Sequence, residues 1–341
     1  MNNTRNIRRK KRKKRFLRLT ILFMLLTILA GGSYLAFDFI YSAKQASDSI
    51  YQELDSSKLA NQRAEVEVTK DPFNILLVGI EDQEGGERAD VLLLLTVNPL
   101  TKEIYMLSIP RDTRTYVESA GYETKINHSL GFGGIESTIS TVSELLDVPI
   151  DYYMTTNFNG FEDIVDTLGG ITVDVPFTFK AQLTGSLKWK TYSEGPMDLN
   201  GNEALAYVRM RKADPKGDMG RNERQQQVIQ EIVDKGTSFT SITKIDDIMD
   251  DLGENVKMNI PPSKFASFVK LYTQIKDSQI QHLALEGYDD YIDSVYYYIP
   301  YEESLTNLST TLNNVLESTS TSLTTINKES TSDLETAQGD E

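Results

Sequence analysis

Two continuous apolar runs of strand length, FNILLVG (73–79) and VLLLLTVN (91–98), lie close together in the chain. Runs that are apolar at every position predict central strands covered on both faces. IYMLSI (104–109) follows the turn residues NPLTK, and YYMTTN (152–157) and ITVDV (171–175) are further strand candidates. Apolar residues spaced three and four apart predict helices over ESTISTVSELL (136–146), NGFEDIVDTL (159–168) and RNERQQQVIQEIVDK (221–235). The same spacing recurs in TKIDDIMDDL (243–252) and PSKFASFVKLYTQIK (262–276). Strands interleaved with helices predict an α/β fold, a three-layer α/β/α domain around a central mixed sheet.

A different pattern precedes this body. From Leu19 to Phe37 run 19 uncharged, mostly apolar residues, flanked by IRRKKRKKRFLR on one side and Asp38 on the other. At about 1.5 Å per residue such a helix spans roughly the 30 Å of a bilayer's hydrocarbon. Lys and Arg stay on the cytoplasmic side, so the expected arrangement is N-terminus inside and the rest outside. No small-x-small exit follows the run, which argues for a retained single-pass anchor rather than a cleaved signal peptide. The expected organisation is a basic cytoplasmic tail (1–18), a transmembrane signal anchor (19–37), an extracellular stalk (38–70), a folded body (71–315) and a tail (316–341). Between Ser318 and Thr336, 11 of 19 residues are Ser or Thr, too little apolar surface to offset ordering entropy, so disorder is expected there.

Composition sharpens this picture. Of 35 Lys and Arg, ten lie in the first 18 positions, so residues 38–341 carry 25 basic against 50 acidic groups, a net charge of −25. A nucleic-acid-binding role for the folded body is thereby disfavoured. The absence of cysteine excludes disulfides, thiolate nucleophiles and thiolate metal sites, and two histidines, His128 and His282, cannot build a multi-histidine centre. The chemistry falls to carboxylates, arginines, hydroxyls and amides.

Four local clusters place arginine beside carboxylate or in close register. ERAD (87–90) enters the second strand, with Arg88 and Asp90 two apart and hence on one strand face. SIPRDTR (108–114), carrying Arg111 and Asp112, follows the third strand, at the end where open α/β sheets bind ligands. AYVRMRK (206–212) sets Arg209 and Arg211 in i, i+2 register, and DMGRNERQ (218–225) opens a helix on which Arg221, Arg224, Gln225 and Val228 share a stripe. Cations in a first helical turn face a like partial charge unless an anion sits there. Any one of these arginines alone reads as a surface ion pair. Six of them together, in so acidic a body, match the oxygens of a phosphate or diphosphate. Asp90, Asp112 and Asp218 are of the type that binds Mg²⁺ or serves as a base.

Other segments carry less. His128 in KINHSLGFGG reads as structural, and GFGG lacks the spacing of a nucleotide-binding loop. YDDYIDSVYYYIP (288–300) alternates Tyr and acid, and reads as a strand packing on the core ahead of a sugar-stacking platform. LTGSLKWKTYSEGPMDLNG (183–201) reads as an insertion, whose Trp189 would cover a pocket.

The ordered series NILLVGI, ERADVLLLLTVNP, LSIPRDTR, KIN, FNGFEDIVDTLGGITVDV and LNGNEALAYVRMRKADPKGDMGRNERQQQ resembles the LytR-CpsA-Psr family, from about Phe73 to Lys235 and more loosely to Tyr301. The short basic tail, single span and extracellular domain are also similar to that family. The resemblance implies a phosphotransferase that moves an anionic glycopolymer, such as teichoic acid or capsule, from a polyprenyl-diphosphate carrier onto a sugar hydroxyl of peptidoglycan. It implies diphosphate binding by Arg88, Arg111, Arg209, Arg211, Arg221 and Arg224, with Gln225 beside them, and catalytic roles for Asp90, Arg88 and Arg111. It also implies Mg²⁺ (or Mn²⁺), at Asp90, at Glu81 or, after a one-residue shift, Asp82, and at Asp218. Many members carry an aspartate where this chain reads VGIEDQ, which is why Glu81 and Asp82 compete for that position. A lipid-diphosphate pyrophosphatase using water as acceptor, and a cell-envelope regulator without transferase activity, are the alternative readings. The expected partners are therefore the polyprenyl-diphosphate-linked glycopolymer, peptidoglycan and the cell membrane, with no nucleic acid.

Overall fold

The computed structural model describes residues 50–55, 63, 66–81, 87–236 and 255–318. The basic tail, the predicted span at 19–37, most of the stalk, Asp82, the predicted helix at 243–252 and nearly all of the Ser/Thr-rich tail lie outside the described residues. Among the described residues no helix is long and apolar enough to cross a membrane.

The three apolar runs form an antiparallel meander of β1 (Phe73–Glu81), β2 (Arg88–Asn98) and β3 (Glu103–Ile109). A small hairpin, β4 (Arg114–Val117) with β5 (Tyr122–Lys125), leads through a 3-10 turn (Ile126–His128) into α1 (Ser129–Leu146). β6 (Tyr152–Thr156) then pairs parallel with β1, and α2 (Phe158–Thr167) follows. Next come β7 (Ile171–Val175), β8 (Phe179–Gln182), β9 (Trp189–Tyr192), β10 (Gly195–Leu199), α3 (Gly201–Arg209) and α4 (Asp218–Gly236). The chain returns through β11 (Val256–Met258), α5 (Phe265–Ile275) and β12 (Ile280–Ala284). A second hairpin, β13 (Gly287–Ile292) with β14 (Val295–Pro300), and α6 (Glu302–Glu317) complete it.

The central sheet is mixed, in the order β11-β6-β1-β2-β3-β12, with β1/β6 and β3/β12 parallel. Its two faces feed different cores, as strand alternation requires. Leu76, Val78, Leu92, Leu94, Leu107 and Tyr153 pack with Ile139 and Val142 of α1 and Leu308 and Leu312 of α6. Phe73, Val97, Ile104 and Tyr152 on the other face pack with Leu271 of α5. Leu94 is fully buried, and truncating it to alanine would cost about 2–5 kcal/mol. This double coverage is why β1 and β2 read as unbroken apolar runs.

A third core lies apart from the sheet. Val165, Val173, Phe179, Tyr192, Tyr207 and Val228 bring α2, β7, β8, β9, α3 and α4 together. Here the structure departs from the sequence reading: β7 pairs with β10 in a two-stranded ribbon and does not join the central sheet. Its ITVDV alternation, buried at Ile171, Val173 and Val175 and exposed at Thr172 and Asp174, belongs to a strand with one wet face. The insertion at 183–201 contains β9 and β10, and Trp189, expected to cover a pocket, is 65% exposed.

Helix starts and stops fix what matters for the site. Asn157 Oδ1 accepts from the Gly160 amide at 2.9 Å and caps α2. Asn200 and Glu203 form a reciprocal capping box at the start of α3. The helix ends at Arg209, since Met210 is extended. Arg209 and Arg211 therefore do not share a strand face; the first closes a helix and the second is exposed in the loop beyond it. Gly201 allows α3 to cross α2 closely, because a Cβ there would fall on the Glu162 carbonyl.

Candidate functional site

Strand register gathers the motif residues at one end of the sheet. Glu81 at the end of β1 lies opposite Arg88 at the start of β2, and Leu92 lies opposite Ile109 at the end of β3. The outgoing end of β6 lies at the same edge because it runs parallel to β1. The ligand-binding end of an α/β sheet is thus lined by 81, 88–90, 110–112 and the start of α2.

A β-bulge shapes this edge. Gly79 faces Val91 while Ile80 faces Ala89, which leaves Asp90 as the extra residue. Bulges re-aim side chains and cluster beside functional sites. Ala89 and Leu92, three apart, both enter the same core, so Arg88 and Asp90 stay off that face together, as their spacing predicts.

Asp90 meets Arg111, whose Nη1 donates to Oδ2 at 2.7 Å. The other oxygen, Oδ1, is buried and accepts no hydrogen bond among the described residues. Arg111 Nε also lies 3.6 Å from Asp112 Oδ2, and Lys125 Nζ donates to Asp112 Oδ1 at 2.7 Å. Glu81 sits beside Asp90, and Arg209 Nη2 approaches Glu81 Oε1 at 3.7 Å. The Arg209 guanidinium stacks over the Phe158 ring at 4.2 Å, which fixes its direction. Burial first, and the neighbouring Asp90 second, raise the Glu81 pKa above the usual carboxylate value, against the opposing pull of Arg209 and Arg111. His128 Nδ1 lies 2.9 Å from Thr124 Oγ1. Burial, then Arg88 and Lys125, lower its pKa, which keeps it neutral at pH 7. It reads as structural, in line with the sequence.

The loop between β3 and β4 is anchored on two sides. Thr113 carbonyl accepts from Ile126 N at 2.8 Å, and Arg111 carbonyl accepts from Asn127 N at 3.2 Å. Asp112 carbonyl accepts from Tyr298 N at 2.9 Å, which ties the loop to the β13–β14 hairpin.

Of the sequence-predicted residues, Arg88, Asp90, Arg111, Arg209 and Glu81 are brought to this edge. Arg224 is not. Its side chain is 2% exposed, its Nε donates to Tyr207 O at 3.2 Å, and its terminal nitrogens bind Met210 O and Asp214. It lies against the Phe179 and Tyr207 rings. Arg224 thus pins the 210–214 loop to the third core, with each of its three nitrogens donating within the fold and its side chain buried, which corrects its assignment as a diphosphate ligand. The stripe it shares with Val228 faces inward because Val228 is core. Arg221 and Gln225 are half-buried on α4, and Asp218 begins that helix. Arg114 pairs with Glu123 across the β4–β5 hairpin at 2.5 Å and is no part of the cluster.

Lys125 and Phe158 were not singled out by residue type. Both stand inside quoted motifs, KINH and FNGF, but neither carries a charge pattern or spacing that marks it. Lys125 becomes visible only through the hairpin that returns it to Asp112.

The residues present suit a hard divalent cation. Two adjacent carboxylates, one with a buried oxygen lacking any donor, supply the oxygen ligands that Mg²⁺ takes together with substrate phosphates. Among the described residues no group of three or more His, Asp or Glu assembles, so the remaining ligands would be phosphate and water.

The sequence model of the LytR_cpsA_psr family matches residues 37–314. A polyisoprenyl-teichoic acid–peptidoglycan teichoic acid transferase, TagU of Bacillus subtilis, is 42% identical over 315 residues, covering 92% of this chain and 99% of that protein. The crystal structure of B. subtilis TagV superposes with a TM-score of 0.65 at 40% identity, covering 73% of this chain and 99% of that one. A structure of TagT bound to LI-WTA superposes with a TM-score of 0.65 at 32% identity, covering 79% and 100%.

Proposed function

The chain belongs to the LytR-CpsA-Psr family, and from that premise we propose the reaction its sheet edge carries out. It is a phosphotransferase that moves a teichoic-acid-type anionic glycopolymer from a polyisoprenyl-diphosphate carrier to peptidoglycan. The observation that carries this reading is the junction of Arg111, Asp90, Glu81 and Arg209 at one strand edge.

An acceptor sugar hydroxyl attacks the phosphorus nearer the glycopolymer, forming a new P–O bond. The bond between the two phosphorus centres' bridging oxygen and that phosphorus breaks, and the carrier leaves as polyisoprenyl monophosphate. Arg88, Arg111 and Arg209 bind the diphosphate oxygens, with Arg211 and Arg221 approaching from the α3–α4 side. Arg209, held flat by Phe158, and Arg111, held by Asp90, are pre-aimed, so little reorganisation accompanies the rise of charge on the phosphoryl oxygens. The Mg²⁺ (or Mn²⁺) would be held by Asp90 through its unused oxygen, with Glu81 beside it, and when bound it neutralises phosphate charge. The acceptor's proton passes to the carboxylates at this edge, where the raised pKa of Glu81 suits it to accept one.

The proposal includes placement: residues 1–18 in the cytoplasm, 19–37 across the cell membrane and the catalytic body outside, where carrier headgroup and peptidoglycan meet. The test is transfer by the full-length protein from a polyisoprenyl-diphosphate-linked polymer to a peptidoglycan oligosaccharide, read as a conjugate by mass spectrometry. Absence of conjugate with a competent donor and acceptor overturns it.

A further inference from the structure

The β13–β14 hairpin, GYDDYIDSVYYYIP, carries five tyrosines and three aspartates and no Lys or Arg. It stands outside the central sheet and turns at Asp293–Ser294, both at positive φ, a two-residue connection of the type that matches strand twist. The sequence reading placed these tyrosines in a core strand. Only Tyr298 fills that expectation, packing against the main core with its hydroxyl donated to Leu285 O at 2.7 Å. Tyr291 is 70% exposed, and Tyr288 is exposed as well.

Cross-strand register sorts the faces. Tyr291 lies opposite Tyr296, and Asp289 opposite Tyr298, on one face of the hairpin. The Tyr291 and Tyr296 rings meet edge to face at 5.6 Å, and the Tyr296 hydroxyl donates to Asp289 Oδ1 at 2.7 Å. This cluster is two residues along β14 from Tyr298, a separation of about 7 Å. Tyr298 N is the group that binds Asp112 O, and Thr113 bridges to the same residue. Lys125, which holds Asp112, lies 5.7 Å and 5.8 Å from the centroids of the Tyr296 and Tyr297 rings. The pair of exposed Tyr291 and half-buried Tyr296 is thus built directly onto the loop that presents Arg111.

We propose that Tyr291 and Tyr296, with Asp289, form the subsite that holds the acceptor glycan of peptidoglycan while its hydroxyl reaches the diphosphate. This rests on the transferase reading above and names which surface receives the second substrate. Tyrosine faces carry a negative quadrupole that attracts the C–H face of a pyranose ring, and they offer large rigid area at low entropic cost. Asp289 supplies acceptors for sugar hydroxyls. Charge selects between the two substrates: the donor is a polyanion, and a hairpin bearing Asp289, Asp290 and Asp293 repels it, whereas an uncharged amino-sugar backbone meets no such repulsion. The donor therefore enters from the arginine side and the acceptor from the tyrosine side of the same loop.

The experiment uses full-length protein in lipid nanodiscs with Tyr291→Ala and Tyr291→Phe. Transfer is measured against varied peptidoglycan oligosaccharide at saturating donor, and binding of an uncharged β-1,4-linked N-acetylglucosamine oligosaccharide is measured directly by calorimetry. Tyr291→Ala should raise the acceptor KM and weaken glycan binding by roughly tenfold, leave the donor KM unchanged, and be restored by Tyr291→Phe. Equal glycan binding by wild type and Tyr291→Ala, no glycan binding by wild type, or a change in the donor KM instead, overturns the subsite. If wild type makes no conjugate, the transferase reading fails on its own, and the binding arm still decides whether the hairpin receives glycan.

Discussion

Arg111 holds Asp90 by one carboxylate oxygen only: Nη1 donates to Oδ2 at 2.7 Å, and the buried Oδ1 accepts no hydrogen bond among the described residues. A buried, unsatisfied carboxylate oxygen costs the fold about 1–3 kcal/mol. It persists here at the extra residue of a β-bulge, next to a second carboxylate. Such an arrangement is unfavourable in the folded chain alone, and a cation at Oδ1 would relieve it.

Asp90→Asn keeps the shape and removes the charge. Transfer should fall roughly 10²-fold or more, while the thermal midpoint stays level or rises, because the lost charge was incompletely satisfied. Steady-state transfer and a melting curve on the same preparation check this. A midpoint that falls along with activity would instead make Asp90 a structural residue.

Glu81 sets a pH dependence whose sign follows from its raised pKa. Between its ordinary and its raised value the folded chain binds more protons than the unfolded chain. Its contribution to stability is therefore fully present at low pH and is lost as pH rises through the folded-state pKa. Glu81→Gln should raise the melting temperature near neutral pH and leave it unchanged near about pH 4. Binding of a divalent cation at this pair should weaken as pH falls through the same raised value, because the ligand must be ionised. Metal titrations followed by calorimetry across that range read the effect.

Two arginines that look alike in sequence should behave in opposite ways. Arg224→Ala leaves Asp214 buried without its partner and should cost about 3–5 kcal/mol in a urea melt. Arg209→Ala, at a side chain 41% exposed, should change stability by less than about 1 kcal/mol. Its loss should appear in donor binding, weakened about tenfold or more. The variants are compared by denaturation and by equilibrium binding of the diphosphate donor.

Gly201→Ala tests how the site is positioned from a distance. The added methyl would meet the Glu162 carbonyl, forcing α3 away from α2. A stability loss of about 1–3 kcal/mol is expected. Since α3 ends at Arg209 and α2 begins at Phe158, the stacked pair should separate and the donor KM should rise. Unaltered donor KM in a folded variant would count against this coupling.

The central strands were legible because both their faces are buried, so β1, β2 and β3 appear as apolar runs whatever they pair with. β7 was legible as a strand, but its partner was not, because ITVDV alternates in the same way in any half-wet ribbon. The arginine motifs announced a polyanion, yet spacing could not separate Arg209, which points to Glu81, from Arg224, which points into an aromatic core. That distinction depends on Phe179, Tyr192 and Tyr207 closing around a guanidinium, a contact among segments up to about 45 residues apart in sequence. Lys125 and Phe158 escaped for the same reason. The exposed tyrosines of β13, Tyr288 and Tyr291, read as core because aromatic strand residues usually are.

The identity of the lipid released during transfer distinguishes phosphotransfer from its alternatives. Full-length protein is given polyisoprenyl-diphosphate-linked polymer, peptidoglycan oligosaccharide and Mg²⁺, and the carrier product is identified by mass spectrometry alongside the conjugate. Phosphotransfer releases polyisoprenyl monophosphate in equal amount to a phosphodiester-linked conjugate, and both should be lost with Asp90→Asn. Release of polyisoprenyl diphosphate, or monophosphate without conjugate, would contradict it.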